Sequence, residues 1–200
     1  MFVDPATLDN KAMYKFLIGG VAPRPIAWAG TRSKDGVNNL APFSFYNAFS
    51  STPPIVGFST IPRLDGRNKD TLQNVIDTRC FTLSCVSHKL VEAMSKSSAL
   101  LEPGEDEFVY AGLEPAEAQK INAPYVKDAM LVFECELNQV VSFGKEEGSG
   151  NLILGQIINI RVNDEIYNDG YVDFEKLDPI GRLAGSWYTT IRDKFEIKRG

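Results

Sequence analysis

Residues 130–160 read MLVFECELNQVVSFGKEEGSGNLILGQIINI, two apolar runs on either side of a short polar segment. The runs Met130–Leu137 and Asn151–Ile160 place apolar side chains at neighbouring positions, which is typical of strands buried on both faces. The segment Gly144–Gly150 between them has the composition of a flexible hairpin loop. This stretch therefore predicts two long strands joined by a hairpin.

Further strands are predicted upstream of that hairpin. Apolar runs bounded by turn formers occupy Pro25–Thr31, Asn38–Tyr46, Ile55–Thr60 and Phe81–Val86. Pro42 places the second of these runs at a sheet edge or a bulge, because proline has no N–H for the ladder. After a short N-terminal lead, the chain therefore contains at least six predicted strands.

Helical signals are few. Residues Lys69–Ile76 resemble a helix start, in which Asp70 and Gln73 have the spacing of a capping box. His88–Lys96 predicts a short amphipathic helix, and residues 101–128 predict a polar excursion over the surface. A mainly β chain with short helices favours a closed or nearly closed antiparallel barrel, since the helices that a parallel sheet requires are missing.

Composition limits the class of protein. The 200 residues are 44% hydrophobic and 24% charged, which is typical of one compact domain over residues 1–200. A net charge of −5 disfavours a nucleic-acid partner. There is no apolar run of the ~20 residues that a membrane span needs and no signal-peptide pattern, so we expect a cytoplasmic protein that does not bind membranes.

The cysteines do not predict a disulfide framework or a metal site. Cys80, Cys85 and Cys135 are odd in number, which fits a reducing compartment. The spacing of Cys80 and Cys85 sends their side chains to opposite faces of a strand. We interpret them as apolar residues and His88, the single histidine, as a surface residue rather than part of a nucleophilic pair.

The first candidate binding site is Lys69-Asp70-Thr71. At a helix start, free backbone N–H groups, an ammonium and a hydroxyl can converge on an anion such as phosphate. The alternative is that Asp70 only caps the helix while Lys69 is solvated. The residues alone leave both interpretations open.

The second candidate is the run Asn39-Leu40-Ala41-Pro42-Phe43-Ser44. Its small side chains allow a flat heteroaromatic ring to approach, and Asn39 and Ser44 offer directional polar contacts. The alternative is an irregular edge strand.

Two further segments carry candidate residues. Arg24, held between two prolines, could contact phosphate or a carbonyl edge, or could be a surface residue at a strand entry. In the segment Gly181–Tyr188, Trp187 and Tyr188 are interpreted as core or interface filler unless a flat ligand lies nearby.

These pieces occur in an order that resembles a known family. The run Pro23–Trp28, then Asn39–Ser44, Pro53-Pro54, Lys69–Thr71, and Gly181–Leu183 with Tyr188, is similar to the flavin reductase-like domain family, especially its flavoredoxin-type members. The resemblance covers nearly the whole chain and is thinner over residues 101–128 and after Tyr188.

The resemblance implies an antiparallel FMN-binding split barrel of Greek-key type and a homodimer with the flavin near the subunit interface. It implies that Asn39–Ser44 lie along the flavin ring, that Ser59 and Thr60 lie near the ribityl or phosphate, and that Lys69 and Thr71 contact the phosphate. Asp70 and Tyr188 belong to the same expected cofactor site, and Arg24 joins the phosphate or the ring edge.

The expected activity is NAD(P)H-dependent flavin reduction, with electrons passed to an acceptor. FMN would carry the chemistry, so no catalytic acid, nucleophile or metal is expected of the chain. The alternative is an FMN-containing carrier that a redox partner protein reduces. The sequence does not distinguish NADH from NADPH, although Arg32, Arg63 and Arg67 are candidates for a 2′-phosphate.

Overall fold

The computed structural model of the protein describes residues 1–63, 65–102, 104–198 and 200. Leu64, Pro103 and Arg199 lie outside these described residues, and Pro103 falls in the segment 101–128 interpreted above. The described α-helices are α1 (Asn10–Gly20), α2 (Asp70–Thr78), α3 (Val91–Lys96), α4 (Glu107–Ala111) and α5 (Phe174–Leu177). The strands are β1 (Ala27–Arg32), β2 (Asn38–Phe43), β3 (Tyr46–Ser51), β4 (Pro54–Thr60), β5 (Cys80–Ser84), β6 (Pro115–Glu117), β7 (Pro124–Val126), β8 (Leu131–Ser142), β9 (Asn151–Val162), β10 (Tyr167–Asn168), β11 (Tyr171–Val172), β12 (Ile180–Arg182) and β13 (Tyr188–Thr190).

One antiparallel sheet dominates the molecule. Its seven strands run in the order β2-β1-β5-β8-β9-β4-β3. The predicted hairpin is confirmed as its longest pair: β8 and β9 pair from Leu131 opposite Val162 to Ser142 opposite Asn151, and the register shifts after Glu134 and again after Leu137. The sheet curls until Phe43 of the edge strand β2 stacks on Phe58 of β4, with ring centroids 4.9 Å apart. The chain is thus mainly β with short helices, as predicted.

Each face of the sheet has its own core. The inner cluster includes Ala29 of β1, Phe58 of β4 and Phe81 of β5, together with Leu72 and Val75 of α2. The outer cluster contains Ile26, Trp28, Leu40, Val86, Leu90, Met94, Phe108, Val126, Ala129, Val132 and Ile180. The inner face of β1 and β2 therefore positions α2, and the outer face positions the segments around α3 and α4.

Segment 101–128 is more structured than a polar excursion. It contains α4 and the small β6–β7 hairpin. Phe108 and Val126 are both fully buried against the outer face of the sheet. The physical reason is that Trp28 of β1 and Leu40 of β2 present apolar side chains on this face, and the segment covers them.

Two predictions of local structure are wrong at the N-terminal end. The N-terminal lead contains the helix α1, whose first turn is capped by Asp9 through a 2.7 Å bond from the Ala12 N–H. The extended run Asn38–Tyr46 ends at Phe43, and a separate strand, β3, begins at Tyr46. Residue Phe49 of β3 is an extra residue in the ladder, since Ala48 pairs with Val56 and Ser50 pairs with Ile55. None of the helices in the described part is long and apolar enough to cross a membrane.

Candidate functional site

No side chain caps the backbone N–H groups at the start of α2. Lys69 occupies the N-cap position and makes no side-chain capping bond, and the N–H of Gln73 bonds to the Lys69 carbonyl at 3.1 Å. The predicted capping box is therefore wrong. Asp70 is the first helical residue, and its carboxylate pairs instead with Arg63 at 2.6 Å. The free N–H groups of the first turn remain available to an anion.

Cationic groups surround this helix start. The Lys69 ammonium lies 5.7 Å from the centroid of the Phe43 ring. Burial lowers the pKa of Lys69, and the nearby positive charge of Arg63 lowers it further. An anion placed between these groups would stabilise the ammonium form, because it offsets both effects.

A buried polar network ties α2 to the sheet. The amide nitrogen of Asn39 lies 3.0 Å from the hydroxyl of Thr31 and 3.0 Å from that of Thr71. Asn74 adds a 3.1 Å bond to the Thr31 hydroxyl. Both amide hydrogens of Asn39 are thus committed, so only its carbonyl oxygen is left for a ligand. The network fixes Thr71 relative to β2.

These elements enclose a cavity of about 60 Å³. Its walls come from β2, the start of α2, the end of α3 with the following turn, and α4. The lining residues are Asn39, Ala41, Pro42, Arg63, Lys69, Asp70, Thr71, Ser97, Ser98, Ala99, Leu100, Leu101 and Glu107. The structure therefore brings the two candidate sequences, Asn39–Ser44 and Lys69–Thr71, to the same place.

The end of β4 carries a buried hydroxyl. Thr60 is on the same face of β4 as Phe58, whose ring stacks on the Phe43 ring beneath Lys69. Thr60 is 1% exposed, and its hydroxyl has no hydrogen-bond partner among the described residues. Ser59 points to the opposite face, and its backbone N–H bonds to the Phe45 carbonyl at 2.8 Å.

A larger groove adjoins the cavity at Arg63, which lines both. The groove has a volume of about 870 Å³ and lies between α1, the loop after β4 and the β8–β9 hairpin. Tyr14 of α1 and Phe45 of the β2–β3 turn form part of its wall, with ring centroids 6.3 Å apart. The β2–β3 turn thus runs from the cavity to the groove.

Arg24 is buried rather than exposed. Its guanidinium donates to the carbonyls of Ile18 at 2.8 Å, Val21 at 2.6 Å and Leu183 at 3.0 Å. Its Nε lies 3.5 Å from the Ser44 hydroxyl. Burial lowers the pKa of Arg24. The side chain connects α1 to the turn after β12, so its donors are already in use.

Several other candidate side chains point away from the cavity. Leu40 is fully buried in the outer cluster and Phe43 is in the inner cluster. Tyr188 packs on the outer cluster, with the Arg182 guanidinium 4.4 Å from its ring centroid. Trp187 is 75% exposed, which excludes the core interpretation and leaves the interface interpretation as a prediction.

The arginines considered for a 2′-phosphate are paired within the chain. Arg32 pairs with Glu117 at 2.6 Å, and Arg67 pairs with Asp65 at 2.7 Å. Arg63, the third candidate, pairs with Asp70 and lines the cavity. Among the described residues, no group of three or more His, Cys, Asp or Glu could hold a metal ion.

Comparison with known proteins connects this geometry to a family. The family model described as "Flavin reductase like domain" matches residues 19–177. The chain belongs to the flavin reductase-like family. An uncharacterized protein of Halalkalibacterium halodurans is 37% identical over 201 residues, which cover 100% of this chain and 96% of that protein.

Solved structures of related fold extend the comparison. Nitrilotriacetate monooxygenase component B from Bacillus cereus superimposes with a TM-score of 0.94 at 32% identity and covers 98% of both chains. Flavoredoxin of Desulfovibrio vulgaris (Miyazaki F) has a TM-score of 0.76 at 24% identity, covering 89% of this chain and 91% of that chain. The sheet is accordingly a split barrel of the flavin reductase-like type. Membership of this family supports the assignment of the protein as a flavin-related oxidoreductase.

Proposed function

We propose that the protein binds FMN and acts as an NAD(P)H-dependent flavin oxidoreductase. The observation that carries the proposal is the cavity in which the uncapped start of α2, with Lys69 and Arg63, faces three residues of β2: Asn39, Ala41 and Pro42. A cationic helix start suits a phosphate, and the small side chains of β2 suit a flat ring.

The unpaired hydroxyl of Thr60 provides a test of fit. A buried hydroxyl without a partner costs free energy, so such a group in a native fold calls for an explanation. FMN carries ribityl hydroxyls and a phosphate, either of which would complete the hydrogen bonding of Thr60. The residues at this site therefore fit the group.

Each residue has a role in this proposal. Lys69, Thr71 and the first N–H groups of α2 hold the phosphate, with Asp70 keeping Arg63 in place. Asn39, Ala41 and Pro42 lie along the ring, and Ser59 and Thr60 lie near the ribityl chain. Bound FMN would supply the redox chemistry by exchanging hydride with a nicotinamide. Leu40, Phe43 and Arg24 position β2 and the β2–β3 turn through burial and hydrogen bonds.

The cavity alone is smaller than an FMN molecule. Ligand sites typically have volumes of about 300–1,000 Å³, and the adjoining groove of about 870 Å³ supplies space beside Arg63. The groove is also where a nicotinamide could approach without a Rossmann domain. We therefore expect both spaces to be used during turnover.

The visible spectrum of the purified protein tests the proposal. We expect flavin absorption after incubation with FMN, and bleaching of that absorption when NADH or NADPH is added without oxygen. Bound flavin that bleaches only with a reduced partner protein would contradict nicotinamide dependence and indicate an electron carrier. A folded protein that binds no FMN would overturn the whole proposal.

We further propose that residues 1–200 form a single flavin-binding domain. We also propose that the protein is a cytoplasmic homodimer. Support for the dimer is the apolar pair on α1 formed by Tyr14 and Leu17, which lie one turn apart and are each at least 40% exposed. Exposed apolar patches commonly mark interfaces. Sedimentation equilibrium of the FMN-loaded protein should give twice the chain mass of 22.1 kDa.

A further inference from the structure

A buried carboxylate forms part of the cavity wall. Glu107, the first residue of α4, is 8% exposed, and its Oε2 accepts the Leu40 N–H at 3.0 Å. Leu40 belongs to β2, which is an edge strand of the sheet. The carboxylate therefore accepts a hydrogen bond that the carbonyl of a neighbouring strand would otherwise accept. The site prediction from the sequence did not include Glu107.

The charge of Glu107 is not balanced by an ion pair within the part of the chain that the structure describes. Two cations line the same cavity, but Arg63 pairs with Asp70. The other, Lys69, lies over the Phe43 ring. Such a carboxylate is costly to ionise, and its ionised form acts strongly on any charge that enters the cavity.

The surroundings of Glu107 favour its neutral form. Burial raises the pKa of Glu107, and the negative charges of Asp70 and Asp106 raise it further. Hydrogen bonds from the backbone N–H groups of Leu40 and of Glu107 itself oppose this change. The cavity-lining cations Lys69 and Arg63 are the other charged groups on this side. Glu107 is thus set to gain and lose a proton nearer to neutral pH than an exposed glutamate.

We propose that Glu107 tunes the reduction of the flavin by placing a negative charge in the cavity wall and by holding β2 through the Leu40 N–H. The inference rests on the proposed function, because it assumes a flavin in this cavity. Uptake of two electrons and one proton gives the anionic reduced flavin, which carries one more negative charge than the oxidised flavin. The ionised carboxylate therefore disfavours reduction, and the protonated carboxyl removes that repulsion while its carbonyl oxygen still accepts the Leu40 bond.

The sign of the pH dependence follows from these charges. Below its pKa, Glu107 is neutral, and the reduction potential of the bound flavin, measured as the difference from free FMN, is higher. Above its pKa, Glu107 is ionised, and the same potential difference is lower. Glu107→Gln keeps an acceptor for the Leu40 N–H but cannot ionise, so it removes the charge without removing the bond.

The experiment measures the reduction potential of the FMN-loaded protein from pH 5.5 to 8.5, with free FMN in the same buffers as reference. We expect Glu107→Gln to bind reduced flavin about tenfold more tightly, relative to oxidised flavin, than the wild type does at high pH. For a two-electron couple this is a shift of about 30 mV to higher potential. The two curves should converge at low pH. Glu92→Gln is the control, because it removes the same charge from an exposed position on α3. Its reduction potential should equal that of the wild type at each pH.

The outcomes separate the two proposals. Failure to bind FMN would overturn the proposed function. Bound FMN with the same potential in wild type and Glu107→Gln at every pH would overturn only the role of Glu107. Should Glu107→Gln fail to fold, the wild type alone decides: its potential relative to free FMN must fall as pH rises, and a constant difference contradicts the inference.

Discussion

Lys69 combines a position at the N-cap of α2 with a half-buried ammonium, so its contribution can be measured separately from the fold. Lys69→Ala should weaken FMN binding by about 1.5–3 kcal/mol, the range for a hydrogen bond to a charged group. Fluorescence quenching of FMN on titration gives the dissociation constant. The exposed Lys89→Ala carries the same charge change and should bind like the wild type. Equal affinity of Lys69→Ala and wild type would place the phosphate elsewhere.

Thr71 is a less clean probe than Lys69. The double variant Lys69→Ala with Thr71→Ala should weaken FMN binding by about 2–4 kcal/mol if both side chains contact the phosphate. Loss of the Thr71 hydroxyl also removes one of the two acceptors for the Asn39 amide, so part of the effect would come from a loosened network. Measuring the unfolding free energy of the cofactor-free double variant separates the two contributions.

Substitution of Thr60 should change the stability of the protein and its affinity for FMN in opposite directions. Thr60→Val keeps the side-chain shape and removes the unpaired hydroxyl, so the cofactor-free protein should gain about 1 kcal/mol in unfolding free energy. FMN affinity should fall by a similar amount, because the ligand loses a hydrogen bond. Urea denaturation and FMN titration measure the two quantities. Thr60→Ser retains the hydroxyl and should retain the affinity, and a Thr60→Val variant with unchanged affinity would contradict the contact.

At this scale the sequence predicted residue types better than their contacts. The spacing of Asn39–Ser44 and Lys69–Thr71 selected two segments that the fold does bring to one cavity. Asp70 has the pattern of a capping residue, but Arg63 competes for its carboxylate. Glu107 was not predicted, and Arg63 was predicted only as a candidate for a 2′-phosphate, because their approach to the cavity depends on packing between segments distant in the chain.

Among the elements, α1 is held to the rest of the fold through Arg24. Arg24→Met should lower the unfolding free energy by about 2–4 kcal/mol, since it leaves the carbonyls of Ile18, Val21 and Leu183 without their donor. Arg24→Lys should rescue little, because one ammonium cannot reproduce a planar guanidinium. Denaturant unfolding followed by circular dichroism measures both. Full rescue by Lys would show that charge alone matters.

The contact between β1 and β7 depends on a glycine. A Cβ at Gly30 would meet the backbone carbonyl oxygen of Pro124 and the Thr82 hydroxyl. Gly30→Ala should therefore cost about 1–3 kcal/mol of unfolding free energy through overpacking. Gly19→Ala is the matched control, because a Cβ there meets nothing within 4 Å, and alanine favours the helix. Thermal unfolding of both variants distinguishes local crowding from a general effect of losing glycine.

The strands were more predictable than the helices and connections. The β8–β9 hairpin has strong local signals, with apolar runs on both sides of a glycine-rich loop. The helix α1 was missed because Tyr14, Phe16 and Leu17 are exposed apolar residues that do not form a one-sided pattern. The coverage of the sheet by Phe108 and Val126 depends on tertiary packing that no local pattern encodes.

For the whole molecule, ligand binding and folding are linked. A ligand that binds only the folded chain at 100 times its dissociation constant adds about 2.7 kcal/mol of stability. For a chain of this size we therefore expect FMN to raise the melting temperature by about 5–10 °C. Differential scanning calorimetry with and without FMN measures the shift. Lys69→Ala at the same FMN concentration should show a smaller shift, and an equal shift would argue against the phosphate contact.

The two outer strands of the open sheet also bear on how the chain avoids aggregation. On β2, Pro42 lacks an N–H and Glu107 occupies the N–H of Leu40. On β3, the extra residue Phe49 interrupts the ladder. Each border thus presents an irregular backbone on which an incoming extended peptide would find few consecutive bonds. Amyloid-like growth, which needs an unbroken template, is disfavoured at both borders by different means.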